Sequence, residues 1–123
     1  MKGFRMSYII NYSNSQRLYT WDGTYLSSYA NSQRLYSFNG QYITAYSNSQ
    51  RMYSFDGTYF SRYSNSQREF TIDGEYLIRY SNSQRVLRYD GRHVVLYSNS
   101  QRILTIDGVI PRAVVFAVAA GMI

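Results

Sequence analysis

The chain has 123 residues, a formal net charge of +6, fifteen tyrosines and no cysteine. The length allows one small domain, and the lack of cysteine excludes disulfides and thiolate metal sites. A basic chain that is rich in aromatic residues and poor in proline favours β structure and association with something acidic, such as a nucleic acid or an anionic glycan.

The N-terminal segment contains the first predicted strand. Residues 1–6 lack the apolar stretch of a signal peptide. Residues 7–12 match the sequence found 17 positions later, at 24–29, which forms the second half of a repeating unit. The array is therefore predicted to start with half a unit.

The dominant feature of the chain is the tetrapeptide Asn-Ser-Gln-Arg, which recurs six times at a constant spacing of 17 residues. It begins at Asn14, Asn31, Asn48, Asn65, Asn82 and Asn99. Repetition without insertions is typical of a modular array whose neighbouring units bury one another, and it argues against an enzyme built around one cleft. We expect a single β-repeat array over residues 1–114 and a divergent apolar tail over residues 115–123.

Each repeat is predicted to be a β-hairpin. Its Asp-Gly pair, replaced by Asn39-Gly40 in the second repeat, suits a two-residue type I′ turn because both central residues of that turn have φ > 0. In the third repeat this turn would place Phe55 opposite Thr58. Successive repeats must keep the same face inward, so the second connection needs an odd length. A three-residue Ser-Asn-Ser loop with its asparagine in the left-handed region fits.

The predicted fold is all-β: an antiparallel β-hairpin repeat meander with about six repeats of 17 residues and an N-terminal half-repeat. The alternative is a two-sided β-solenoid with one repeat per rung. Stacked rungs would place each arginine about 4.8 Å from its copy. Repulsion between these like charges favours the meander.

One face of the predicted sheet is apolar along its whole length and needs a cover. The cover could be a second copy of the chain, the sheet itself curling round, or the C-terminal tail. Candidate self-association residues on this face and in the tail are Tyr53, Phe60, Phe70, Leu77, Val115 and Phe116. Edge strands at residues 7–12 and 109–114 could recruit further copies, so we expect a homo-oligomer or filament.

The tail is uncharged from residue 113 onward and too short to cross a bilayer as a helix. It could cap the array, insert into a neighbouring copy or touch a membrane. A cap is favoured, and a membrane partner is not expected.

Patterns for catalysis, metal binding and cofactor binding are not found in the sequence. The aspartates all fall in predicted turns, and the single histidine, His93, stands where other repeats have tyrosine. There is no Gly-rich phosphate loop and no metal-ligand spacing. We predict that the protein is not an enzyme and needs no metal or cofactor.

An arginine row is the candidate anion-binding site. The predicted pairing places Arg51, Arg62, Arg68, Arg79 and Arg85 opposite one another on one face, and Arg34 and Arg102 extend the row. Like charges directly opposite destabilise a sheet. An anionic polymer lying across the strands would offset this through guanidinium contacts, with neighbouring aromatic rings stacking on bases or sugars. Alternatively, the guanidiniums splay at the sheet margin, stack on tyrosine rings or meet acidic groups of a neighbouring chain.

The segment Tyr-Ser-Asn-Ser-Gln-Arg-Leu at residues 12–18, found again with a final methionine at 46–52, resembles the YD repeat of Rhs-type and teneurin-type proteins. In that family a tyrosine is followed five positions later by arginine and then by an aliphatic residue. Here serine replaces the family's aspartate, and Ser-Gln replaces its Asn-Gly turn. The resemblance implies a β-hairpin meander that forms shells or extended surface structures, and an extracellular or cell-surface location. It implies no active site.

These features predict a structural function and leave a binding function as the alternative. The first is that of a non-enzymatic, self-assembling structural protein, the subunit of a filament, shell or surface appendage. The second is that of a binding module for an acidic polysaccharide or nucleic acid along the arginine row. Polymer binding should weaken steeply with salt, whereas assembly through apolar faces should not.

Overall fold

The computed structural model describes residues 6–123, which form twelve short strands and one helix. The strands are β1 (Ser7–Asn11), β2 (Arg17–Trp21), β3 (Tyr25–Ser28), β4 (Arg34–Phe38), β5 (Tyr42–Ala45), β6 (Arg51–Phe55), β7 (Tyr59–Arg62), β8 (Arg68–Asp73), β9 (Tyr76–Arg79), β10 (Arg85–Tyr89), β11 (His93–Leu96) and β12 (Arg102–Asp107), and the helix is α1 (Arg112–Ala119). Residues 1–5, most of the segment that lacks a signal-peptide pattern, lie outside the described residues.

The strands form an antiparallel meander that closes into a barrel. Each strand pairs with its chain neighbours, and β1 also pairs with β12. The predicted hairpin meander is confirmed, and the solenoid alternative is wrong. The expectation of two free edges is also wrong, because β1 is paired on both sides and residues 109–114 form no strand.

The barrel closes because β12 and β1 pair in the same register as the two strands of each hairpin. Equivalent pairs join the two strands of the five complete hairpins: Trp21 with Leu26, Phe38 with Ile43, Phe55 with Phe60, Ile72 with Leu77, and Tyr89 with Val94. Ile106 of β12 pairs with Ile9 of β1 at the same two positions of the repeat. The N-terminal half-unit is therefore the second strand of the sixth hairpin.

Helix α1 fills the interior of the barrel. Side chains alone fill a barrel of about eight strands, so a ring of twelve needs an additional element. Five consecutive helix residues, 113–117, are buried. The Phe116 ring lies 6.1 Å from that of Tyr89 on β10, while Val114 and Phe38 line one small cavity on the side of β4, six strands away around the ring. The helix is thus surrounded by strands, and the predicted boundary between 114 and 115 lies within it.

The apolar face predicted from the repeat is the inner face of the barrel. Phe60, Leu77, Val115 and Phe116 are fully buried, and Tyr53 and Phe70 pack against the same core. These six residues were the candidates for self-association, and the structure places them in the interior instead. Two of the three possible covers are used together, because the sheet curls on itself and the tail enters the space it encloses.

The Asp-Gly connections differ from the predicted type I′ turns. Gly57 has φ of 100°, but Asp56 does not have a positive φ, and Phe55 pairs with Phe60 instead of lying opposite Thr58. The Oδ1 atom of Asp56 accepts hydrogen bonds from the amides of Thr58 (3.0 Å) and Tyr59 (2.8 Å). The predicted register is therefore wrong by two residues. An even shift keeps every side chain on its face, which is why the apolar face was identified correctly.

In the Ser-Asn-Ser-Gln connections, the residue with left-handed backbone conformation is not the predicted one. The left-handed residue is the second serine, as in Ser66 with φ of 59°, and the asparagine is not left-handed. Asn65 instead accepts a hydrogen bond from the Gln67 amide through Oδ1 at 3.0 Å. Such a side-chain bond to the backbone two residues on stabilises a turn locally.

Candidate anion-binding surface

A β-bulge at the start of each repeat places its arginine on the outer face of the barrel. Between β7 and β8, Phe60 pairs with Phe70, but the next pair is Ser61 with Arg68, so Glu69 has no partner in the ladder. Bulges change the direction in which side chains point. The phenylalanines therefore face the core, while Arg68 lies over the ring of Tyr59.

The outward arginine sits between two tyrosines. The guanidinium carbon of Arg68 lies 3.9 Å from the ring centroid of Tyr59 and 5.8 Å from that of Tyr80. The two rings meet edge to face, 5.9 Å apart at 85°. Such contacts are cation–π interactions, which contribute about 0.5–1 kcal/mol at exposed sites. We call this arrangement a Tyr–Arg–Tyr cluster.

Five such clusters recur with nearly the same geometry. They are Tyr8–Arg17–Tyr29, Tyr25–Arg34–Tyr46, Tyr42–Arg51–Tyr63, Tyr59–Arg68–Tyr80 and Tyr76–Arg85–Tyr97. Guanidinium carbons lie 3.9–4.1 Å from the first ring and 5.8–5.9 Å from the second. A repeated backbone thus presents a repeated surface.

A sixth cluster spans the closure of the barrel. Arg102 of β12 lies 5.9 Å from the ring of Tyr12, and Tyr12 meets His93 edge to face at 5.8 Å. His93 occupies the position of the first tyrosine, which agrees with its interpretation as a substituted surface aromatic. We call the six arginines of these clusters, Arg17, Arg34, Arg51, Arg68, Arg85 and Arg102, the arginine belt.

The belt carries positive charge that no salt bridge neutralises within residues 6–123. Its six arginines are exposed, and among residues 6–123 none of them forms a salt bridge. The salt bridges in that part of the chain join Arg62 to Glu69 at 3.2 Å and Arg88 to Glu75 at 2.9 Å. The hydrogen bond from Arg88 to Glu75 raises the pKa of that guanidinium. Glu69 and Glu75 are thus held by arginines outside the belt.

The predicted single row of arginines is divided by the bulges. Arg34, Arg51, Arg68, Arg85 and Arg102 lie in the belt, as described above. Arg62 and Arg79, which we call the rim arginines, end β7 and β9 and instead lie beside Glu69 and Phe70. Arg51 pairs with Thr44 and Arg68 with Ser61, so the like charges are not directly opposite. The belt arginines stack on tyrosine rings, which is one of the alternatives that the sequence left open.

Shallow clefts lie beside the clusters. One of about 260 Å³ is lined by Gln41, Tyr42, Ser54, Phe55, Asp56, Tyr63 and Ser66. A second of about 390 Å³ includes the equivalent Tyr76, Asp90, Tyr97 and Ser100, two repeats further on. Each cleft offers tyrosine rings, a serine hydroxyl and an aspartate carboxylate beside a cluster. Both clefts are open to solvent.

Two parts of the surface were missed by the sequence reasoning. Arg17 was not among the candidates, although it forms the first cluster. The tyrosine partners were also not assigned. The constant spacing of nine residues from each tyrosine to its arginine, as in Tyr59 and Arg68, was the available signal.

Comparisons with protein-family models, curated proteins and solved structures gave no match. Within residues 6–123 no group of three or more acidic or histidine side chains could hold a metal ion. This region contains no helix that is both long enough and apolar enough to cross a membrane.

Proposed function

We propose that this chain is a non-enzymatic binding module that holds a linear anionic polymer on its arginine belt. The observation that supports this most directly is the set of six exposed guanidiniums that recur on the outer face and form no salt bridge within residues 6–123. Phosphate, sulfate and carboxylate groups accept paired hydrogen bonds from a guanidinium edge.

Stacking prepares the arginines for such contacts. In each cluster a tyrosine covers one face of the guanidinium, as Tyr42 does for Arg51 at 3.9 Å. The N–H groups point outward in the plane of the guanidinium, so they are not used by the stacking contact. A side chain that is already held loses less conformational entropy on binding.

The regular spacing favours a polymer over a single anion. Each repeat adds two strands, so neighbouring belt arginines are about 10 Å apart along the sheet. One exposed ion pair contributes only about 0–1 kcal/mol. Several linked anionic groups that bind at once gain affinity because every contact after the first is intramolecular.

The self-assembling structural function remains a prediction with less support. Its two premises were an uncovered apolar face and free edge strands, and the closed barrel has neither. A filament, shell or appendage subunit would have to assemble through its outer, polar surface. The resemblance to YD repeats, and the extracellular location that it implies, also remain predictions.

A matched pair of double variants tests the proposed function. Arg51→Gln with Arg68→Gln removes two belt charges, and Arg62→Gln with Arg79→Gln removes two rim charges. Binding of labelled heparin and labelled oligothymidylate is measured by fluorescence anisotropy. We expect the wild type to bind at least one polymer, the belt variant to lose about tenfold in affinity, and the rim variant to stay within about twofold. Equal losses would show that only net charge matters, and failure of the wild type to bind either polymer would refute the proposal.

A further inference from the structure

We infer that the polymer is a single-stranded nucleic acid that bends around the barrel and contacts neighbouring Tyr–Arg–Tyr clusters in order. This inference rests on the proposed function and adds the class of ligand and its path.

The composition of the clusters favours a nucleic acid. The second tyrosine of each cluster is 43–48% exposed, as in Tyr80 at 46% and Tyr97 at 47%, and lies beside a belt guanidinium. Proteins that bind single strands combine cationic contacts to the backbone with aromatic side chains on which bases stack. Each cluster offers an arginine for a phosphate and an exposed tyrosine for a base. An acidic polysaccharide would use the guanidinium but has no aromatic base.

The curvature of the barrel favours a single strand over a duplex. Twelve strands spaced about 4.8 Å apart give a sheet about 60 Å around and a radius of about 10 Å. Duplex DNA has a persistence length of about 500 Å, so it stays straight over this distance and touches one side of the barrel. A flexible single strand can follow the outer face from one cluster to the next.

Within residues 6–123, the belt continues across the pairing of β1 with β12. The cluster of Arg102 joins β12 to the N-terminal Tyr12, so it lies between the clusters of Arg85 and Arg17. Every cluster therefore has two neighbours at the same distance. At a fixed number of intact clusters, affinity should therefore depend on whether those clusters are adjacent around the ring or separated.

Two triple variants with the same composition and net charge test this inference. Arg17, Arg34 and Arg51 changed to glutamine leave three adjacent arginines, Arg68, Arg85 and Arg102. Arg17, Arg51 and Arg85 changed to glutamine leave Arg34, Arg68 and Arg102, which alternate with empty positions. The probe is an oligothymidylate of about ten nucleotides, within the site sizes of known single-strand binding folds. We expect the adjacent variant to bind at least about fivefold more tightly than the alternating one, and equal affinities would overturn the inference.

The wild-type protein provides a second measurement that needs no variant. Affinity for oligothymidylates should rise with length and level off once the strand passes around the barrel, and a duplex of the same length should bind about tenfold more weakly. Equal or tighter duplex binding would overturn the inference. Binding of heparin without oligothymidylate would overturn it while the proposed function stands, and binding of neither would refute both.

Discussion

The Ser7 side chain is hydrogen-bonded to both backbone groups of Val109, 102 positions further along the chain. The Val109 amide donates to Ser7 Oγ at 3.0 Å, and the hydroxyl donates to the Val109 carbonyl at 3.2 Å. A separation of 102 residues equals six repeats of 17, so the contact lies where the ring closes. Ser7 is a polar residue that is buried. Its side chain links β1 to the segment that connects β12 with helix α1.

The first prediction concerns this closure. Gly108 and Gly91 have similar φ values of 105° and 99°, but a Cβ on Gly108 would overlap Ser7, whereas one on Gly91 would meet nothing. Gly91→Ala should cost about 1–2 kcal/mol from the left-handed backbone alone. Gly108→Ala should cost clearly more, as measured by urea unfolding. Equal costs for the two variants would mean that the Ser7 contact does not hold the barrel closed.

The second prediction concerns the helix plug. Phe116→Ala removes a fully buried ring that touches Tyr89 and should cost about 3–5 kcal/mol. Val109→Ala, at a residue that is 86% exposed, is the control and should change stability by less than about 0.5 kcal/mol. Thermal melts compare the two. A small effect of Phe116→Ala would show that the helix does not fill the barrel.

The helix gives the tail a role other than self-association, for which Val115 and Phe116 were candidates. A tail that reinforces contacts between copies could be deleted without loss of β structure. In the barrel, however, residues 113–117 are core. Deletion of residues 114–123 should therefore abolish the β circular-dichroism signal, and a truncated chain that retains this signal would contradict the observed packing.

The sequence was sufficient to predict the hairpins and their inner face. The spacing of 17 and the alternation of residues such as Phe60 and Ser61 depend only on local periodicity, which an even error in register does not change. The bulge before Phe70 could not be read from alternation, because it adds one residue to one strand. For this reason the prediction of a single arginine row was wrong. The division into belt arginines, such as Arg68, and rim arginines, such as Arg79, was missed.

Closure of the ring was a different kind of error. The sequence begins with a second-strand half at Ile9 and its array ends with a first-strand half at Ile106, and these two halves form a complete hairpin. The half-unit was recognised but taken as the start of an open array. Whether β1 and β12 meet depends on the accumulated twist and bending of twelve strands. This geometry cannot be predicted from the residue pattern.

The third prediction concerns pH. Hydrogen bonds from backbone amides lower the pKa of Asp56 and of Asp90 below the usual 3.8. This stabilisation is present above pH 3.8 and is lost as the pH falls through the lower folded-state values. Asn39 makes the same two backbone bonds without a charge. Asp56→Asn with Asp90→Asn should therefore flatten the loss of stability below about pH 4, and parallel pH curves for variant and wild type would contradict the assignment.

The fourth prediction concerns a single cluster. A double-mutant cycle with Tyr59→Leu and Arg68→Gln should give a coupling energy of about 0.5–1 kcal/mol, as expected for an exposed cation–π contact. The control cycle pairs Tyr59→Leu with Arg17→Gln, on distant strands, and should be additive. If both cycles are additive, the stacked geometry does not hold the arginine in place.

The central claim is that the arginine belt binds the phosphates of a single-stranded nucleic acid, and the salt dependence of oligothymidylate binding tests it most directly. Each contacted phosphate contributes about −0.7 to the slope of log K against log salt for a single strand. The account predicts a steep negative slope for the wild type that becomes shallower by about 1.4 when Arg51 and Arg68 are both changed to glutamine, and that is unchanged when Arg62 and Arg79 are changed. A slope near zero, or one that changes equally in both double variants, would contradict it.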